Sequence, residues 1–204
     1  IASSLVGSEM CIRDRGHART FEWGRYGAAQ LTPFTERQKS GRHKYMNTAI
    51  RFALMWWICQ LDDPAGRATP CQPDTSILHV TISDGEGTGS VAVAYWRPRD
   101  KHWSPIITQG ETPEDLRAFW AAEKERDINE IEAIAPLLAL DTFPELHSGL
   151  WLHFTDSKVA LGTLVRGSSS VQSMNLITST TWHFARQRKT CLWTEWLPTH
   201  DNPL

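Results

Sequence analysis

Apolar and polar positions follow different rules in the two parts of this chain. The early run Ala49–Leu61 (AIRFALMWWICQL) is apolar nearly throughout, interrupted by Arg51 and Gln60, and predicts a buried helix over about 46–61. It is shorter than the roughly 20 residues a membrane-spanning helix needs. Residues 62–76 (DDPAGRATPCQPDTS) carry three Pro and one Gly among small polar residues, the composition of a linker. Beyond it the period changes. Residues 77–84 (ILHVTISD) are β-branched with period two, Gly85, Gly87 and Gly89 mark a turn, and 90–96 (SVAVAYW) is a second strand. A third strand is predicted at 102–109 and a helix at 113–126, with Thr112 as its N-cap. A second helix follows at 128–140, then a strand at 150–156, helices at 158–165 and 171–186, and a last strand at 191–197. Three strands in a meander, then helix, strand, helices and strand, predict an α/β domain around a five-stranded mixed sheet with flanking helices.

Composition narrows the class. With 41% hydrophobic residues, ten Trp and a mean hydropathy of −0.37, the chain is neither a membrane protein nor a disordered one. Cys11, Cys59, Cys71 and Cys191 form no CxxC pair, which argues against a zinc knuckle or a disulfide scaffold and for a reducing, intracellular setting, cytoplasmic or nuclear. The opening residues 1–16 show no periodicity and lack the continuous apolar core of a signal peptide; they read as an adaptor-derived or disordered tail. Both ends of the chain read as cut. The expected division is therefore 1–16 tail, 17–62 helical fragment, 63–76 linker and 77–204 folded domain.

Net charge is −2, but residues 64–204 carry 12 Lys and Arg against 17 Asp and Glu, whereas 157–204 carry 5 against 2. Acids in the middle and a basic end suit a protein whose carboxylates hold cations while a basic flank faces a polyanion.

Two strands end on Asp in their apolar register. Leu78, Val80, Ile82 and Asp84 share one face, as do Leu150, Leu152, Phe154 and Asp156. A bare carboxylate there is costly unless paired, hydrogen-bonded or metal-bound. The alternatives are a solvated strand end, or for Asp156 a cap on the next helix. In the helix between, Ile128, Ile131, Glu132 and Ala135 lie on one stripe, so Glu132 is expected to face the sheet and Glu130 the solvent. Pro136 inside that helix removes the bond to the Glu132 carbonyl, costing ~3 kcal/mol, and predicts a kink or a decayed copy.

Asp84 in Ser-Asp-Gly-x-Gly, Ile128-Asn129-Glu130-Ile131-Glu132-Ala133, Phe154-Thr155-Asp156-Ser157, Gly167–Ser170 and the late Trp193-x-Glu195-Trp196-Leu197-Pro198 with Asn202-Pro203 together resemble the ribonuclease H domain of retroelement reverse transcriptases, over about 76–204. Residues 20–62, with Trp23-Gly24-Arg25 and Trp56-Trp57, resemble more loosely the thumb or connection segment before that domain. The resemblance implies hydrolysis of the RNA strand of an RNA/DNA hybrid, in a chain shared with a polymerase domain. It implies Asp84, Glu132 and Asp156 as catalytic ligands of two Mg²⁺ ions (or Mn²⁺), with Asp84 touching both and the other two one each. The family's fourth carboxylate follows an Asn-Pro run; here Asn202-Pro203-Leu204 stops short of it, so Asp is expected next, and Asp201 is a poor substitute. His200 is a candidate proton shuttle, or an exposed loop His.

For nucleic acid the candidates are Arg186, Arg188 and Lys189 near Trp182 and His183, and Arg166 with Ser168 and Ser169 in the Gly167–Ser170 turn. The plain alternative for the first group is a solvated helix C-terminus. Gly85–Ser90 fails the G-x-G-x-x-G pattern and joins two strands, which makes it a hairpin turn. The rival functions are a 3′-5′ exonuclease, suggested by Asp84-x-Glu86, and an inactive connection domain that binds nucleic acid or a partner without cutting. A transposase or integrase would order its acids Asp, Asp, Glu.

Overall fold

The computed structural model describes residues 24–40, 45–62, 76–98, 104–123 and 127–204. The expected tail at 1–16 and all but the last residue of the expected linker lie outside them. Helices α1 (Gly24–Ser40) and α2 (Thr48–Leu61) come first. Asn47 caps α2 by accepting the Ile50 N–H at 2.9 Å. Then follow β1 (Leu78–Gly85), β2 (Ser90–Trp96), β3 (Ile106–Glu111), α3 (Glu114–Glu123), α4 (Ile128–Thr142), β4 (Leu150–Thr155), α5 (Lys158–Arg166), α6 (Gln172–Gln187), β5 (Cys191–Trp196) and a short 3₁₀ turn, Thr199–Asp201.

The expected α/β architecture is present: one five-stranded mixed sheet in the order β3-β2-β1-β4-β5. β1 to β3 form an antiparallel meander, and β4 joins β1 in parallel, with β5 parallel beside β4. The third strand starts later than the sequence suggested. Thr112 does not cap α3: its buried hydroxyl has no hydrogen-bond partner among the described residues. α4 runs on through Pro136 to Thr142, the Glu132 carbonyl lacking only that one donor.

The parity assignment was right about which residues share a face and wrong about which face is covered. α4 packs over β1 and β2 and against α5 and α6, while α5 packs on β5. The buried strand positions facing these helices are His79, Thr81 and Ser83 on β1 and Trp151, His153 and Thr155 on β4, together with Val91, Val93, Tyr95 and Leu192. Leu78, Val80, Ile82, Leu150, Leu152 and Phe154 lie on the opposite, partly open side. The polar groups under the helices satisfy one another, as buried polar groups must. The Trp151 indole N–H donates to the Thr81 hydroxyl at 2.8 Å, and Thr81 and Ser83 sit 2.8 and 3.3 Å from the two ring nitrogens of His153. All of these contacts link β1 to β4.

α1 lies against α6. The Asn175 amide donates to the Ala29 carbonyl at 3.1 Å, and the Arg25 guanidinium stands 5.3 Å from the centre of the Trp182 ring. Gly167 ends α5 at φ 72°, where a Cβ would come within 2.5 Å of the Arg25 backbone, so glycine is required there on both counts. Among the described residues no helix is long and apolar enough to cross a membrane.

Burial holds the His153 imidazole neutral, its pKa pushed down from 6.5 to about 3. The unfolded chain takes up a proton below pH 6.5 that the folded chain refuses, so this residue's share of stability is full above 6.5 and is lost as pH falls towards 3. Acid unfolding followed by circular dichroism is expected to be shallower over that window in His153→Gln than in wild type, by up to about 1.4 kcal/mol per pH unit.

Candidate active site

The site is assembled from three separated elements. Parallel pairing sets Ser83 opposite Thr155, so the next residues, Asp84 and Asp156, leave adjacent strands side by side. α4 crosses the end of the sheet and delivers Glu132 from its second turn. Gly85 permits this approach, since a Cβ there would lie 3.0 Å from the Glu132 Cδ. One carboxylate oxygen each of Asp84, Glu132 and Asp156 fall within 4.8 Å of one another. Glu132 is 7% exposed, and the two aspartates are half-buried.

The electrostatics are those of a charge cluster lacking a counterion. Burial first, then the Asp156 and Asp84 charges, push Glu132 from its ordinary 4.5 up to about 8. Asp84 is also raised, by burial and then by Asp156, with the Gly85 N–H donated to its Oδ1 at 3.0 Å opposing the shift. Glu132 Oε2 is buried with no hydrogen-bond partner among the described residues. A divalent cation fits this donor set: hard oxygens, convergent, one of them buried and unpartnered.

Asp156 does not cap α5. Ser157 does, its hydroxyl accepting the Ala160 N–H at 3.2 Å, which leaves the Asp156 carboxylate for the cluster. The end of β5 and the chain after it support it instead: the Thr199 hydroxyl donates to Asp156 Oδ2 at 2.9 Å and the Trp196 indole N–H to the Asp156 carbonyl at 3.1 Å. Asn202 donates to the Ser83 carbonyl at 3.2 Å. On the far side, Arg117 of α3 donates to the Gly87 and Thr88 carbonyls of the β1–β2 turn and pairs at 3.1 Å with Asp127, which precedes α4. These four supports were not anticipated; only Trp196 and Asn202 lay in a quoted motif.

Glu130 corrects the sequence reading. It is 1% exposed instead of facing solvent, and accepts the Ser173 hydroxyl at 2.6 Å across the α4–α6 contact. Both glutamates are inward because α4 is buried against two partners, the sheet and α6. Glu86, needed for the exonuclease pattern, is exposed in the hairpin turn and outside the cluster.

Other candidates lie apart from one another. The His200 side chain is 81% exposed and sits 3.6 Å from Asp201. Arg188 donates to the Phe143 carbonyl at 3.1 Å, Lys189 follows at φ 56°, and Arg186 is in the last turn of α6. Arg166 ends α5. Ser168 lies half-buried in the turn beside Ser169, whose backbone N–H donates to Asn175 and whose hydroxyl accepts the Val171 N–H.

No protein-family model matches the chain, and no curated protein does. Among solved structures it is similar to the N-terminal ribonuclease H domain of Rv2228c from Mycobacterium tuberculosis, determined as a fusion with maltose-binding protein, with 17% identity, a TM-score of 0.46, and coverage of 62% of this chain and 86% of that one. It is also similar to ribonuclease H1 from Halobacterium salinarum NRC-1, with 12% identity, a TM-score of 0.43, and coverage of 62% and 88%.

Because Glu132 keeps a proton in the folded state that the unfolded chain releases near pH 4.5, its contribution is full below 4.5 and is lost as pH rises through about 8. In chelator-treated protein, chemical denaturation is expected to show wild type losing stability relative to Glu132→Gln across that interval. Millimolar Mg²⁺ is expected to reverse the loss.

Proposed function

We propose that this chain is a metal-dependent nuclease of the ribonuclease H type, hydrolysing the RNA strand of RNA/DNA hybrids as part of a retroelement reverse transcriptase. The observation that carries this reading is the convergence of Asp84, Glu132 and Asp156 within 4.8 Å, with Glu132 almost fully buried. Their order along the chain, Asp, Glu, Asp, on β1, α4 and the end of β4, is the order that the motif resemblance implies.

The same three residues would hold the cations, two Mg²⁺ in this reading with Mn²⁺ as a substitute. Bound there, they would supply Lewis acidity to the scissile phosphate and lower the pKa of the attacking water. The chain's own part is positional. The β1–β4 ladder fixes the spacing of the two aspartates, α4 supplies Glu132, and Thr199 and Trp196 hold Asp156. Glu132, its pKa raised to about 8 by burial and by the two aspartates, would have to give up its proton to hold a cation. His200, exposed in the loop after β5, is in a position to exchange protons with solvent. Arg166 with the Ser168–Ser169 turn, and Arg186, Arg188 and Lys189 at the other end of α6, are in this reading two separate places for phosphates of the hybrid backbone. A polymerase domain in the same longer polypeptide is the partner that the reading implies.

The exonuclease alternative is disfavoured by the exposed Glu86. A non-cutting domain has no use for three acids converging within 4.8 Å.

The test uses an end-labelled RNA/DNA hybrid with Mg²⁺. Asp84→Asn and Asp156→Asn are each expected to lower cleavage by about 100-fold or more, since even groups that only support a metal ligand are worth about 10–100-fold. Hybrid binding in a gel-shift assay should persist, because removing an acid from a polyanion site lowers repulsion. Cleavage that survives both substitutions would overturn the assignment.

A further inference from the structure

Asp156 is held at both ends by the last residue of β5 and the segment that follows it. Its carbonyl accepts from the Trp196 indole at 3.1 Å and its carboxylate Oδ2 from the Thr199 hydroxyl at 2.9 Å. The same segment reaches the neighbouring strand, where Asn202 donates to the carbonyl of Ser83, the residue before Asp84, at 3.2 Å. The Lys158 ammonium stands 4.6 Å from the centre of the Trp196 ring and packs that side chain against the start of α5. The path is kept short by the 3₁₀ turn at Thr199–Asp201, where the Asp201 N–H donates to the Pro198 carbonyl at 2.8 Å and the Asn202 N–H to the Thr199 carbonyl at 3.2 Å.

A carboxylate has two oxygens on one rigid plane, so a hydrogen bond that fixes one also fixes the direction of the other. Asp156 is half-buried and follows directly on the end of β4. Without the Thr199 bond, repulsion from Asp84 and Glu132 would favour turning its carboxylate outward, away from a shared ligand.

We propose that Thr199 is a positioning residue that presets the Asp156 carboxylate for divalent-cation binding, with the Trp196–Asn202 segment acting as a brace across the ends of β1 and β4. The inference rests on the metal-site reading above and adds to it a group outside the three acids.

The experiment is calorimetric titration of the whole chain with Mn²⁺ in the absence of substrate. Thr199→Val keeps the shape and removes the hydroxyl; Thr199→Ser keeps the hydroxyl. Wild type is expected to bind Mn²⁺ and to lose binding in Asp84→Asn. Thr199→Val is expected to bind about tenfold more weakly, the scale of a group that orients a metal ligand. Thr199→Ser is expected to return close to wild type, and the metal-free melting temperature should be the same in all three. In cleavage assays the defect of Thr199→Val should appear as a higher Mn²⁺ requirement, with the rate at saturating Mn²⁺ largely recovered. Binding by Thr199→Val equal to wild type, or an equal loss in Thr199→Ser, overturns this proposal alone. A fall in the metal-free melting temperature of Thr199→Val that accounts for its weaker binding does the same, because it makes Thr199 a general stabiliser. Failure of wild type to bind Mn²⁺ overturns the site reading together with it.

Discussion

Like charges have to be held together here by something other than their own interactions. Carboxylates brought within 4.8 Å repel by a few kcal/mol per charged pair at an effective dielectric of about 20. The force that opposes this is the parallel pairing of β1 with β4, and its strength is unusual in kind. Beneath the helices the two strands are joined by a chain of buried polar side chains, Trp151 to Thr81 to His153 to Ser83, on top of the backbone ladder. Sliding one strand by a residue would turn its members of this chain to the other face and leave those of its neighbour buried without partners, at about 1–3 kcal/mol each. The register that sets Asp84 beside Asp156 is therefore protected by groups that take no part in the cluster.

The sheet explains how much was legible. Period two in 77–84 and 150–156 established the strands and the residues that share a face, and the two Asp positions followed from it. It did not show which face is covered. Apolar content suggested Leu78, Val80 and Ile82, yet the helices lie over His79, Thr81 and Ser83. The covered face is settled by the side on which the crossover helices pack, a property of chain topology that no local pattern encodes. A polar buried face also escapes any rule that equates burial with hydrophobicity, because its members satisfy one another.

The helices show the complementary failure. The wheel argument for α4 assumed one buried stripe and so had to choose between Glu130 and Glu132. α4 is covered by the sheet on one side and α6 on the other, and its buried set includes Glu130, Ile131, Glu132 and Ala133 in succession. A helix enclosed on two sides has no solvent stripe to read. Supports such as Thr199 and Arg117 were illegible for a different reason. They sit in or beside turns, where side-chain direction depends on tertiary placement, and each meets a partner more than 25 residues away in sequence.

The distinction between Glu130 and Glu132 bears on whether the cluster is chemical or merely structural. Both are carboxyls on one helix, and both are almost fully buried. Glu130 meets a serine hydroxyl at 2.6 Å and ties α4 to α6, which is what a structural buried carboxyl does. Glu132 instead meets two other acids, one carboxylate oxygen of each of the three lying within 4.8 Å of the others. A domain kept only for its shape could replace Glu132 with glutamine or an apolar residue and relieve both the repulsion and the desolvation. Keeping the acid fits the proposed reading, in which a cation from solution would offset both. Glu130 is the comparison: the same residue type, helix and burial, with a serine hydroxyl where Glu132 has two neighbouring acids.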